Sequence, residues 1–220
     1  MKYAIHEDIR FCVTNGRTAF LDLRTDRYFC LPPTTDQVFQ RFIVGEPVAN
    51  ADQAILERLF RAGLFTDARR SGCREYHRLP TPARELTDQS LPHSLMHTFQ
   101  ALYCYGKADR ELRRHRLKQA IDRIAASRKR GPAASRDGLA EQEKLSAHFS
   151  SVARLVKRQD KCLVWSLAEI RFLASHHFYP HLVIGVKLEP FGAHAWVQAG
   201  ETVLSCALEE TLHYTPILVV

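Results

Sequence analysis

No apolar run in this chain approaches the ~20 residues that a membrane-spanning helix needs. The opening residues MKYAIHEDIRFC put Glu7 and Asp8 where an export signal requires unbroken apolar sequence, so a cytoplasmic protein is expected and a membrane partner is not. Cysteine occurs six times, at 12, 30, 73, 104, 162 and 206, but never as CxxC or another short-spaced pair. That removes the usual signature of a zinc site, and His176 and His177 are adjacent rather than one helical turn apart; neither metal nor cofactor is expected. A further absence falls late in the chain, where no aspartate follows Asp160.

What is present is an ordinary globular composition, 45% hydrophobic and 25% charged over 220 residues, enough for one large domain or two small ones. The net charge of +7 has one source: residues 107–130, KADRELRRHRLKQAIDRIAASRKR, hold ten Lys/Arg against three Asp/Glu. A basic helix can track phosphates, but its plain reading is a solvated outer face, and no nucleic-acid partner is expected.

The chain then divides. Ile9, Phe11 and Val13 alternate on one face of a strand that stops at the turn signal Asn15-Gly16. Phe20–Leu23 and Arg27–Leu31 continue the small sheet around a turn at Arg24-Thr25-Asp26, and Pro32-Pro33 closes it. Two short helices follow, with box-like starts at Thr34/Gln37 and Asn50/Gln53 and a stop at Gly63. Residues 1–70 thus read as one small domain. The Pro-rich stretch 71–92 reads as a linker, and 93–220 as a second domain. Helical periodicity runs from Ser94 to Gly131 and again from Leu139 to Arg158.

Chemistry concentrates between 160 and 206. Asp160 can cap a helix whose first turn carries Cys162, a position where the helix dipole favours a thiolate. Leu163, Leu167, Ile170 and Ala174 give that helix its apolar face. An apolar strand, Pro180–Val186, precedes a hairpin strand on which His194, Trp196 and Gln198 share a face. A thiol at a helix start and an imidazole on a neighbouring strand are the two parts that a cysteine nucleophile requires. The third, an acid that orients the imidazole, depends on hairpin register. A three-residue loop Ala199-Gly200-Glu201 pairs His194 with Cys206, whereas a two-residue loop sets it opposite Ala207. Neither register supplies a carboxylate, which leaves Glu209 (the first choice), Glu201, a backbone carbonyl or the Cys206 sulfur to hold the ring.

Two resemblances follow from these residues. FLDLRTDRYFCLPPTTDQVFQRF, followed by DQAILERLFRAGLF, resembles the PqqD-like precursor-recognition domain. That likeness implies a leader peptide added as a strand along Arg27, Tyr28, Phe29 and Cys30, beside Leu59 or Phe60. A winged-helix DNA reader is the other use of this topology, with only Arg58 and Arg61 as cations on its last helix. CLVWSLAEIRFLASHHFYPHLVIGV with PFGAHAWVQ resembles the transglutaminase-like (papain-like) cysteine protease domain of lasso-peptide maturation B proteins. The expected fold is therefore α+β, a winged-helix-like PqqD-type module joined to that protease domain. The family implies a Cys-His-Asp triad that removes a leader from a ribosomal precursor peptide and passes the core to an asparagine-synthetase-like, ATP-dependent cyclase. Cys162 matches its nucleophile and His194 its base, while its aspartate falls at Cys206. The alternative expectation is a weak or inactive protein that only delivers precursor to the cyclase.

Overall fold

The alternation after Glu7 does form a sheet, as its period of two requires. The computed structural model describes residues 3–47, 49–67, 79–86, 94–114, 116–130, 138–152 and 161–220. The chain separates into two units, Met1–Tyr76 and His77–Val220. The fold is mixed helix and sheet, and among the described residues no helix is long and apolar enough to cross a membrane.

The first unit contains β1 (Tyr3–Ile5), β2 (Ile9–Thr14), β3 (Arg17–Asp22), β4 (Arg27–Cys30), α1 (Pro33–Ile43), α2 (Asn50–Arg61) and β5 (Phe65–Asp67). β2, β3 and β4 form an antiparallel sheet in that order, and β1 pairs with β5 in a separate two-stranded sheet. Asn15 and Gly16, at φ 50° and 72°, make the two-residue turn that lets Thr14 pair with Arg17. Phe20 stacks on Phe29 at 5.0 Å and meets the edge of Phe39 at 4.9 Å, so the core is built on aromatic pairs worth about 0.5–1.5 kcal/mol each beyond their buried area. Asp36 is buried and accepts the Thr18 N–H at 2.9 Å, which ties the start of α1 to the hairpin. Neither expected capping box forms: α1 starts at Pro33 and α2 follows Ala49, both without a side-chain cap. Pro33 takes the first helical position, where its missing N–H costs nothing, so the cap falls on Pro32 and Thr34 lies inside the helix.

The second unit holds β6 (Arg84–Glu85), α3 (Leu95–Arg114), α4 (Leu117–Arg130), α5 (Gly138–Ser151), α6 (Cys162–Ser175), β7 (His181–Leu188), β8 (Phe191–Ala199), β9 (Thr202–Val203), α7 (Leu208–Leu212) and β10 (Thr215–Val219). The sheet order is β10-β7-β8-β9-β6. Its last strand lies inside the stretch expected as a linker, where Arg84 and Glu85 run parallel to Thr202 and Val203.

The periodicity from Ser94 to Gly131 is two helices rather than one. Glu111 of α3 pairs with Arg123 of α4, twelve residues on, which would be about 18 Å away along a straight helix. Glu111 is buried and also pairs with Arg171 of α6, so one carboxylate joins three helices. The latter part of the helix expected to reach Arg158 lies outside the described residues, as does Asp160.

α6 is buried around nearly its whole circumference, rather than on the single face expected, because the sheet covers one side and α3 and α5 the other. Two of its polar residues bond to neighbouring elements. Glu169, fully buried, accepts from Ser146 of α5, and Ser166 Oγ donates to the Ala195 carbonyl of β8 at 3.0 Å.

Candidate active site

β7 and β8 pair without a bulge, from His181 opposite Gln198 to Leu188 opposite Phe191, which sets Gly185 directly across from His194. Glycine is required there. A Cβ on residue 185 would stand 2.8 Å from the Trp196 ring and 2.8 Å from the Tyr214 Cβ. The space is used by aromatics that flank the imidazole: His194 stacks on Trp196 at 6.1 Å and 19°, and Tyr214 lies 5.4 Å away. Trp196 is fixed in turn, because its indole N–H donates to Gln198, whose amide donates to the Pro80 and Gly200 carbonyls. Gly185→Ala is therefore expected to destabilise the protein by about 2 kcal/mol, in the range of overpacked cores. A lowered midpoint in denaturant titration, with unchanged slope, is the expected measurement.

The hairpin after β8 takes the two-residue loop, since Ala199 pairs with Thr202 and Gln198 with Val203. That register was expected to bring Ala207 to His194, and it does not. The pairing ends with the Leu204 N–H donating to the Val197 carbonyl at 2.9 Å, the Ser205 hydroxyl accepts the Val197 N–H at 2.8 Å, and the chain bends. The bend brings Cys206 Sγ to 3.5 Å from His194 Nε2. Cys206 thus reaches the histidine by a route other than strand pairing. α7 then places Glu210 Oε2 3.7 Å from the same nitrogen. Glu210 is the carboxylate beside the ring, where Glu209 or Glu201 was expected. Leu208 packs against the apolar cluster of Val183, Trp196 and Val203, which sets the rotation of α7 and so selects Glu210 over its neighbour.

Cys162 is the first residue of α6, preceded by Lys161 in the capping position. It is half-buried and carries a free thiol. Ser166, one turn further along the helix, bonds the carbonyl of the residue that follows His194, so the start of α6 is docked beside the histidine's stretch of β8. His194 is 16% exposed and Glu210 60%, so the imidazole is enclosed while its carboxylate neighbour opens to solvent.

The remaining predicted site residues belong to the first unit. β4 is an edge strand, with Arg27 exposed and Tyr28, Phe29 and Cys30 half-buried. Leu59 is buried in the core. Phe60 is exposed and packs on Tyr3 of the separate two-stranded sheet at 5.4 Å.

Cys12 and Cys104 are buried and poorly placed for chemistry. Burial, with Cys30 alongside, pushes the Cys12 thiol up to about 11, and burial raises that of Cys104. Iodoacetamide at neutral pH should modify the half-buried Cys162 and Cys206 before Cys12 and Cys104, as read by peptide mass mapping.

The second unit thus sets a thiol at the start of a helix that bonds to β8 one turn further on, and on that strand a histidine beside a carboxylate and a second thiol. The sequence pattern of the transglutaminase-like superfamily matches residues 107–219, just over half of the chain, and the chain belongs to that superfamily. Over 61 residues it is 46% identical to the microcin J25-processing protein McjB of Escherichia coli, a stretch that covers 28% of this chain and 29% of the relative. The match therefore spans less than a third of that protein. No solved structure matches the chain.

Proposed function

We propose that this protein is a cysteine peptidase of lasso-peptide biosynthesis that cuts the leader from a ribosomal precursor. The observation that carries this reading is the pair of anchors around His194: Cys206 and Glu210 on Nε2, and the start of α6, with Cys162, docked at the next residue of β8. The relative's role in microcin J25 processing supports the substrate class.

In this mechanism the His194 ring takes the Cys162 proton, and the sulfur adds to the carbonyl carbon at the leader–core junction. The oxyanion accepts from the Cys162 backbone N–H, one of the unpaired donors at the start of α6. The C–N bond breaks, His194 returns its proton to the departing core amine, and water hydrolyses the leader thioester. Glu210 stabilises the imidazolium, while Cys206 and the aromatic walls fix the ring plane. The freed core then passes to an asparagine-synthetase-like, ATP-dependent cyclase.

The first unit supplies recognition as a PqqD-like module, with the leader adding as a strand to the β4 edge at Arg27–Cys30. Leu59 contributes to this surface from beneath, as core, and Phe60 from the exposed side of α2. Incubating the full chain with a leader-plus-core precursor should yield two products by mass spectrometry. Precursor that binds but stays intact, and is cut only after Cys206→Asp, would instead mark a delivery protein.

A further inference from the structure

His194, Cys206 and Glu210 bring three ligand atoms within 4.8 Å of one another. We propose that these residues also form a zinc(II) site, and that zinc bound there switches the peptidase off. Tetrahedral zinc with its usual bonds to sulfur and imidazole nitrogen separates those two ligand atoms by ~3.5 Å. The Nε2 to Sγ distance is 3.5 Å. The carboxylate oxygen, 3.7 Å from Nε2 and within 4.8 Å of Sγ, belongs to an exposed side chain that can turn to complete the third corner. Two of the ligands are enclosed and the third faces solvent, so the ion has an entry path and room for water as a fourth ligand. The mixed imidazole, thiolate and carboxylate set suits zinc better than magnesium or calcium, which take oxygen.

The ligands arise from three places, strand β8, the bend after Val203 and helix α7. No short-spaced sequence pair announces them. Cys206 and Glu210 are four residues apart across the start of α7, and His194 joins them only because the β9 ladder stops early.

The consequence for catalysis follows from proton count and rests on the peptidase reading above; the site itself does not. An imidazole that gives Nε2 to zinc carries its proton on Nδ1, so it has no lone pair with which to take a proton from Cys162. Binding also releases the Cys206 thiol proton, so zinc binds more tightly as pH rises.

The test is titration of the full chain with cobalt(II), then displacement by zinc(II). The expected result is one equivalent bound, with a cobalt–thiolate charge-transfer band. That band persists in Cys162→Ala and disappears in Cys206→Ser. Glu210→Gln, a change at an exposed side chain, should weaken binding at least ~10-fold, the lower bound for losing even an outer-shell partner. Zinc should also stop leader cleavage by the unaltered protein, and a chelator should restore it. A missing band, one that survives Cys206→Ser, or one that vanishes with Cys162→Ala would overturn the site. Cleavage that continues with zinc bound would overturn the switch. A cobalt signal with the expected variant pattern, in a protein that cuts no precursor, would keep the site and remove the peptidase reading.

Discussion

Alanine at Cys162 leaves the precursor uncut: the rate of leader release is expected to fall at least ~10⁴-fold, as when a nucleophile acting in concert with its base is removed. Alanine at His194 should cost nearly as much, and the double variant little more, because the two act as one unit. Mass spectrometry of the precursor after timed incubation reads all three. Far-ultraviolet dichroism should be unchanged for Cys162→Ala, because the side chain is half-buried at the start of a helix held by other contacts. Residual cutting within tenfold of the parent protein would place the nucleophile elsewhere.

Loss of the Glu111 carboxylate is the largest effect expected on stability. Glu111→Ala removes the shared partner of Arg123 and Arg171 and leaves the largely buried Arg171 guanidinium without a counter-charge. Breaking a buried pair from one side costs about 3 kcal/mol. For a unit of this size that lowers the melting temperature by roughly 10 °C. The effect should extend to activity, because Arg171 belongs to α6, the helix that presents Cys162. A melting temperature within about 2–3 °C of the parent, no more than ~1 kcal/mol produces, would show that the three-helix clamp contributes little.

The strands are legible from the alternation of residue types, as at Ile9, Phe11 and Val13 and at His194, Trp196 and Gln198. Burial does not follow that alternation: β2 buries Arg10 and Cys12 and exposes Val13, and β8 is buried on both faces from Ala195 to Gln198. Turns with a local chemical cause, such as Asn15-Gly16, were equally plain. Capping signals mislead where two of them compete, as at Thr34 beside Pro33. The division between α3 and α4 is hidden because periodicity continues through it, and the Glu111–Arg123 pair reports that the chain doubles back.

At the site the nature of the two central groups was legible, but the orienting carboxylate was not. Glu209 and Glu210 differ by one residue on a five-residue helix. Which of them meets His194 depends on how Leu208 seats beside Trp196 and on a serine hydroxyl that ends the β9 ladder. Both are tertiary events with no sequence period. No sequence spacing marks the pair, because Cys206 lies in the bend before the cap of α7 and is not on the helix with Glu210.

The most direct test of the central claim is a covalent trap. A leader peptide whose carboxyl terminus carries a vinyl sulfone is incubated with the full chain, and the adduct is mapped by peptide mass spectrometry. One equivalent of leader joined to Cys162 through its sulfur is expected, with no adduct in His194→Ala on the same timescale. An adduct on Cys206, or complete precursor cleavage by protein whose Cys162 stays unmodified throughout, would contradict that claim.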